Sequence, residues 1–223
     1  EIEMANRYKV YAPDGWDDLF YAVEQTSFVG RNLKQCFGDC VSWEVDILYC
    51  QGYGKERAFH VEHPASCSCC CFTRPVAIMT DAEGEEIGTI RDPYACGTGL
   101  GFAISDPDGN DVLRLDGGCC QVGYWCPLPC GDCNKIELDI LDADSGDALG
   151  KVTKRVPGPW KFFFAPDVDN YHVEFEGVEE PEHKALILAL VIFMDFRYLN
   201  DNSNDDAPRQ CICCGICQRL FGD

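Results

Sequence analysis

Apolar and polar residues alternate along most of this chain, and Asp, Gly and Pro interrupt the alternation at intervals. Ile136-Glu137-Leu138-Asp139-Ile140 and Tyr171-His172-Val173-Glu174-Phe175 show the pattern most clearly. A period of two gives a strand with one dry face and one wet face. The strands come in pairs around a turn, the signature of a hairpin. Tyr8–Tyr11 and Leu19–Val23 flank Pro13-Asp14-Gly15. Trp43–Leu48 and Ala58–Val61 flank Gln51-Gly52-Tyr53-Gly54, and Val76–Met79 and Ile87–Ile90 flank Asp81-Ala82-Glu83-Gly84. Gly101–Ile104 and Val112–Leu115 flank Pro107-Asp108-Gly109-Asn110. Ile136–Ile140 and Leu149–Val152 flank Asp144-Ser145-Gly146-Asp147, and Trp160–Phe164 and Tyr171–Glu176 flank Ala165-Pro166-Asp167. These units predict about twelve antiparallel strands.

The pattern then changes. From Ala185 to Leu199 runs a long apolar stretch, and Ala185 to Met194 carries no polar side chain. Leu and Ala dominate it, it has no Gly or Pro, and Pro181-Glu182 makes a good helix start. A helix apolar all round must be buried in protein or in lipid. Fifteen residues of helix reach about 22 Å, whereas a bilayer core needs roughly 30 Å. Asp195 and Arg197 interrupt the run further. The favoured expectation is a helix over residues 183–199 enclosed by the strands, with a short single-pass span as the rival. A barrel of twelve strands is too wide for its own side chains to fill, and a hydrophobic helix can plug it. The predicted fold is therefore all-β with one central helix: a twelve-stranded antiparallel closed barrel over residues 1–200. Residues 201–223 form a polar linker and a Cys-rich tail.

Charge narrows the function. The chain has 223 residues, 46% of them hydrophobic, and a formal charge of −20. That excludes a nucleic-acid surface, which needs a basic stripe, and opposes unaided binding to anionic lipid. At a membrane such a protein needs an anchor, a divalent cation or a protein partner. The start, Glu1-Ile2-Glu3-Met4, has no apolar signal core, so a reducing, cytoplasmic setting is expected.

Seventeen cysteines then become the main candidate chemistry. Adjacent pairs and triplets such as Cys69-Cys70-Cys71 and Cys119-Cys120 do not make a regular disulfide framework, because neighbours on a strand point to opposite faces. Cys130-x-x-Cys133 with Cys126 resembles half of a zinc site. A second pair would come from Cys119 and Cys120, or from Cys36 and Cys40. The alternative is a tight loop of reduced thiols. Gly97-Thr98-Gly99-Leu100-Gly101 precedes a strand rather than a helix, so it reads as a link and not a phosphate loop. His60, His63, His172 and His183 show no ligand spacing, and no catalytic residue is assigned.

The order of features resembles the phospholipid scramblase family. It runs from Cys67-Ser68-Cys69-Cys70-Cys71 through Gly117-Gly118-Cys119-Cys120 and Cys130-Gly131-Asp132-Cys133 to Gly150-Lys151-Val152-Thr153-Lys154. Then come Phe164-Ala165-Pro166-Asp167-Val168-Asp169-Asn170-Tyr171 and the apolar helix ending Phe193-Met194-Asp195-Phe196. The resemblance covers about residues 7–200. It implies the tubby-like fold, twelve strands around a hydrophobic helix. It further implies calcium-activated, energy-independent, bidirectional movement of phospholipids, at the cytoplasmic face of a membrane.

The resemblance also implies fatty acylation at Cys67, Cys69, Cys70 and Cys71, and a calcium segment over Asp167–Val178. Clustered thiols on a loop suit S-acylation, and several chains convert weak lipid contact into stable anchoring. Metal binding or plain burial are the alternatives. Cys211, Cys213, Cys214 and Cys217, beside Ile212, Ile216, Leu220 and Phe221, read as a second acylation site, a metal site or a partner contact. For calcium the candidate ligands are Asp167, Asp169, Asn170 and Glu174. Asp167 and Asp169 match the first positions of an EF-hand loop, but Tyr171, His172 and Val178 stand where a ligand, a Gly and a Glu belong. The plain reading is a hairpin turn; a weak calcium site, in the ~10⁻⁴–10⁻³ M range, is the functional one. A rival from another class is an acylated accessory subunit of a larger membrane complex.

Overall fold

A computed structural model of the chain describes residues 7–11, 18–25, 41–51, 54–66, 74–92, 100–118, 121, 123, 134–155 and 170–196. The strands are β1 (Arg7–Tyr11), β2 (Asp18–Glu24), β3 (Trp43–Gln51), β4 (Gly54–His63), β5 (Val76–Asp81) and β6 (Glu86–Arg91). They continue with β7 (Leu100–Ser105), β8 (Asp111–Gly117), β9 (Lys135–Asp142), β10 (Ala148–Arg155) and β11 (Asn170–Glu174), and α1 (Pro181–Met194) follows. The strands form an antiparallel sheet in chain order, β1 to β11.

Three of the hairpin turns run from an Asp to a Gly three or four residues later, for a reason visible in the sequence. Asp81 accepts hydrogen bonds from the backbone N–H of Glu83 (3.0 Å) and Glu85 (2.8 Å). Asp142 accepts them from Asp144 (3.1 Å) and Ser145 (2.7 Å). The N–H groups of Gly84, Gly109 and Gly146 donate back to the carbonyls of Asp81, Asp106 and Asp142. All three glycines have positive φ, 89°, 85° and 75°, which costs glycine nothing and other L-residues about 1–2 kcal/mol.

The chain divides into two compact units. The first holds β1–β6 and the turn Asp106–Gly109. Its dry face is the predicted alternation made real: Ala22, Trp43, Val45, Ile47, Val61, Ala77, Met79 and Ile90 are buried. The second unit holds β7–β11 and α1. Phe102, Ile104, Leu113, Leu115, Ile136, Leu138, Ile140 and Val152 form its dry face, and Phe102 meets Phe193 of α1 edge to face at 6.1 Å.

In α1, Leu186, Ile187 and every residue from Ala189 to Met194 are buried. Six consecutive buried positions pass right round a helix, so protein covers α1 on all sides from Ala189 to Met194. No helix among the described residues is long and apolar enough to cross a membrane. The rival reading of this run as a span therefore fails on length and on burial. The helix starts at Pro181 rather than 183, because Pro fits the first turn. Residues 195–196 continue it in a wider turn, and residues 197–199 lie outside the described set.

Two further expectations are met in part. Eleven strands are described rather than twelve, since Trp160–Phe164 lies outside the described residues. The last strand pairs directly with β10, Lys151 opposite Glu174 and Arg155 opposite Asn170, at the place the chain order reserved for Trp160–Phe164. Gly150 permits this: a Cβ there would overlap the backbone carbonyl of Glu174. Among the described residues no pairing closes β11 onto β1, so the closed barrel remains outside what they show.

Candidate functional site

Three polar side chains from three elements meet where α1 ends. Lys154 of β10 shares its face with Val152, and it stands directly opposite Tyr171 of β11 in the register. Both reach the residue just past α1, Asp195. The Tyr171 hydroxyl donates to Asp195 Oδ1 at 2.6 Å, and Lys154 Nζ lies 3.8 Å from the same oxygen. The Lys154 ammonium is also 5.5 Å from the centre of the Tyr171 ring. The side chains of Lys154 and Asp195 are 9% and 8% exposed. A carboxylate at a helix C-terminus sits at the negative end of the dipole, so Asp195 needs this cation and this donor. The group braces β10 and β11 to the helix.

One member of the brace, Tyr171, lies inside the segment read as a calcium loop. Asn170–Glu174 is strand β11, and strand side chains alternate between faces. Tyr171 turns to Asp195, whereas His172 lies on the exposed side with its Nε2 3.4 Å from Glu174 Oε1. A ligand loop that curls round an ion does not run through an extended strand. Any calcium site would draw on residues before β11 and on its exposed face. Asp167, Asp169 and the side chain of Asn170 lie outside the described residues. Among those described, no group of three His, Cys, Asp or Glu is placed to hold a metal.

The cysteine clusters Cys67–Cys71, Cys126–Cys133 and Cys211–Cys217 likewise lie outside the described residues. The necks of the first two connections are described, and each is clamped by a side chain. His63, at the end of β4, has Nδ1 2.6 Å from the carbonyl of Val76, at the start of β5, and its ring lies 5.6 Å from Trp43. Before β9, the Gln121 amide bonds both backbone groups of Glu137, donating to its carbonyl at 2.6 Å and accepting from its N–H at 2.7 Å. Gln121 thus imitates a strand. Neither clamp, nor the Lys154–Tyr171–Asp195 brace, was found from sequence. Lys154 at an inward strand position was the one available signal.

The profile of the Scramblase family matches residues 1–201. Rat phospholipid scramblase 1 is 26% identical over 209 residues, covering 92% of this chain and 57% of the relative. Bovine phospholipid scramblase 2 is 26% identical over 200 residues, covering 88% and 62%. Human phospholipid scramblase 4 is 24% identical over 204 residues, covering 88% and 56%. The chain therefore spans little more than half the length of these curated relatives. No solved structure matches.

Proposed function

Since the chain belongs to the Scramblase family, we propose that it is a membrane-associated, phospholipid scramblase-like protein that moves phospholipids between leaflets in both directions when calcium binds. The single observation that carries this reading is the extent of the family match, which takes in every described strand and α1. With Trp160–Phe164 as a further strand, the sheet closes into the tubby-like barrel around α1. Acylation of Cys67, Cys69, Cys70 and Cys71, and of the tail cysteines, holds the barrel at the cytoplasmic face. Two or more chains give stable anchoring where one does not. Calcium is bound weakly by Asp167, Asp169 and Glu174, with Asn170 beside them. Zinc at Cys126, Cys130 and Cys133 is a lesser, structural proposal.

One observation favours a second reading. From Ala189 to Met194 the helix is apolar and covered on all sides, so that part lines no polar path for a headgroup. Lipid movement would then come from local disturbance of the bilayer. In the second reading the protein moves no lipid and is an acylated accessory subunit of a larger membrane complex. Acylated protein reconstituted into vesicles with one labelled leaflet separates the two. Calcium-dependent exposure of the inner-leaflet label is expected; no exchange at millimolar calcium, with incorporation verified, overturns the scrambling reading. Intact-mass measurement of protein from its native membrane tests the anchor, each acylated cysteine adding the mass of one fatty acyl group.

A further inference from the structure

The dry face of β1–β4 ends in aromatic rings and a carboxylate. Ala22 and Ile47, opposite each other on β2 and β3, are fully buried. The next row toward the hairpin turns is Val10, Phe20, Tyr49 and Glu56, one residue from each strand. Facing residues of paired strands share a side of the sheet, so this row continues the dry face. It is nevertheless open. Tyr49 is 41% exposed, Val10 and Phe20 are half-buried, and Glu56 is exposed. Phe20 joins the rings: Tyr49 lies 5.5 Å away, tilted by 53°, and Phe59 lies 6.2 Å away, tilted by 41°.

Among the described residues Glu56 has neither an ion pair nor a hydrogen bond. Its chain neighbours are cations, but strand alternation turns both to the outward face. There Lys55 Nζ stands 3.6 Å from the centre of the Tyr21 ring, and Arg57 donates to the Ala82 carbonyl at 3.2 Å. A carboxylate attracts a cation, and aromatic faces add to the attraction within about 6 Å. What the row lacks decides which cation fits. A primary ammonium brings three donors and a guanidinium five, whereas the row offers one carboxylate and one hydroxyl among apolar groups. A quaternary ammonium has no donor to satisfy, and its methyl groups lie well against rings.

We propose that this open end of the dry face docks on the trimethylammonium group of phosphatidylcholine, with Phe20, Tyr49 and Phe59 against the methyl groups and the Glu56 carboxylate opposite the charge. The row lies where the β1–β2 and β3–β4 hairpins turn, at the rim of the sheet rather than its middle. The headgroup is zwitterionic, so a chain of charge −20 meets no net negative surface. The proposal rests on the phospholipid reading above, but not on lipid transfer, calcium or acylation. The test is sedimentation of the full chain, produced in bacteria without acyl groups, at millimolar lipid. The vesicles are phosphatidylcholine or N-monomethyl phosphatidylethanolamine, which has the same phosphate and net charge but lacks two of the methyl groups.

The expected result is sedimentation with phosphatidylcholine, and binding about fivefold weaker or more on the monomethyl lipid. Glu56→Gln and Tyr49→Ala should each weaken it about threefold or more, Glu56→Lys should abolish it, and Tyr49→Phe should preserve it. If circular dichroism shows Tyr49→Ala unfolded, Glu56→Lys, at an exposed position, is read instead. Equal binding to both lipids overturns the proposal, as does full binding by Glu56→Lys or no sedimentation at all. Binding of free phosphocholine in equilibrium dialysis without vesicle binding also overturns it, in favour of a soluble ligand. A trimethyllysine peptide that binds where vesicles do not overturns it in favour of a protein partner. Protein that sediments yet moves no lipid supports docking and sinks only the scrambling reading. Lipid movement with equal binding to both lipids sinks only the docking.

Discussion

Lys154, Tyr171 and Asp195 hold each other in place at the end of α1, and each should fail differently when altered. Removing one member of a buried ion pair strands the other charge, at a cost of about 3–5 kcal/mol. Lys154→Met and Asp195→Leu should each approach that range in chemical denaturation, while the double variant should cost clearly less than their sum. Additive losses would mean that the 3.8 Å pair carries no coupling. Tyr171→Phe removes one hydrogen bond to a charged acceptor and should cost about 1.5–3 kcal/mol. Asp142 offers a test by pH. The Ser145 backbone N–H, and then its side chain, hold the Asp142 carboxyl below the usual carboxylate range, with help from the Asp144 N–H and His183. A lowered folded-state value means stability that is present above the ordinary carboxylate range and lost as pH falls through the folded value. Asp142→Ala should therefore melt earlier than wild type at neutral pH, and the gap should narrow in acid. A gap that is constant with pH would show that the carboxylate charge contributes nothing.

Among the elements, α1 and the Asp–Gly hairpins were the parts most legible in the sequence. Ten residues without a polar side chain admit few surroundings, and an Asp with a Gly three or four residues later allows a tight turn that few other residue sets do. Leu190 is fully buried, so Leu190→Ala should cost about 2–5 kcal/mol. Gly84 has open space around it but a positive φ, so Gly84→Ala should cost only about 1 kcal/mol. Gly150→Ala should cost visibly more, because the added Cβ meets the backbone of β11. Equal losses at Gly84 and Gly150 would contradict that packing. What the sequence did not disclose was contact between remote positions. Alternation marks Tyr171 as facing inward, yet nothing local says that its hydroxyl meets a carboxylate 24 residues later. The same holds for Gln121 and Glu137, and for the pairing of β11 with β10. The candidate calcium and cysteine residues were legible as motifs, and Tyr171, inside the same segment as the calcium candidates, serves the fold.

At the scale of the whole molecule, a charge of −20 on one folded chain repels itself, and salt screens the repulsion. The melting temperature should rise between low salt and about 0.15 M; a fall would mean that attractive surface pairs such as Lys151–Asp139 outweigh the excess of acid. The order of elements has another outcome. Every described strand precedes α1 in the chain, so a ribosome releases the sheet before the helix that Phe102 packs against exists. Until residue 194 emerges, the apolar faces of β7–β10 have nothing of their own to shed water against. The nascent polypeptide is then a natural client for a chaperone, and a stalled or nonsense-shortened message should yield aggregate rather than a smaller domain.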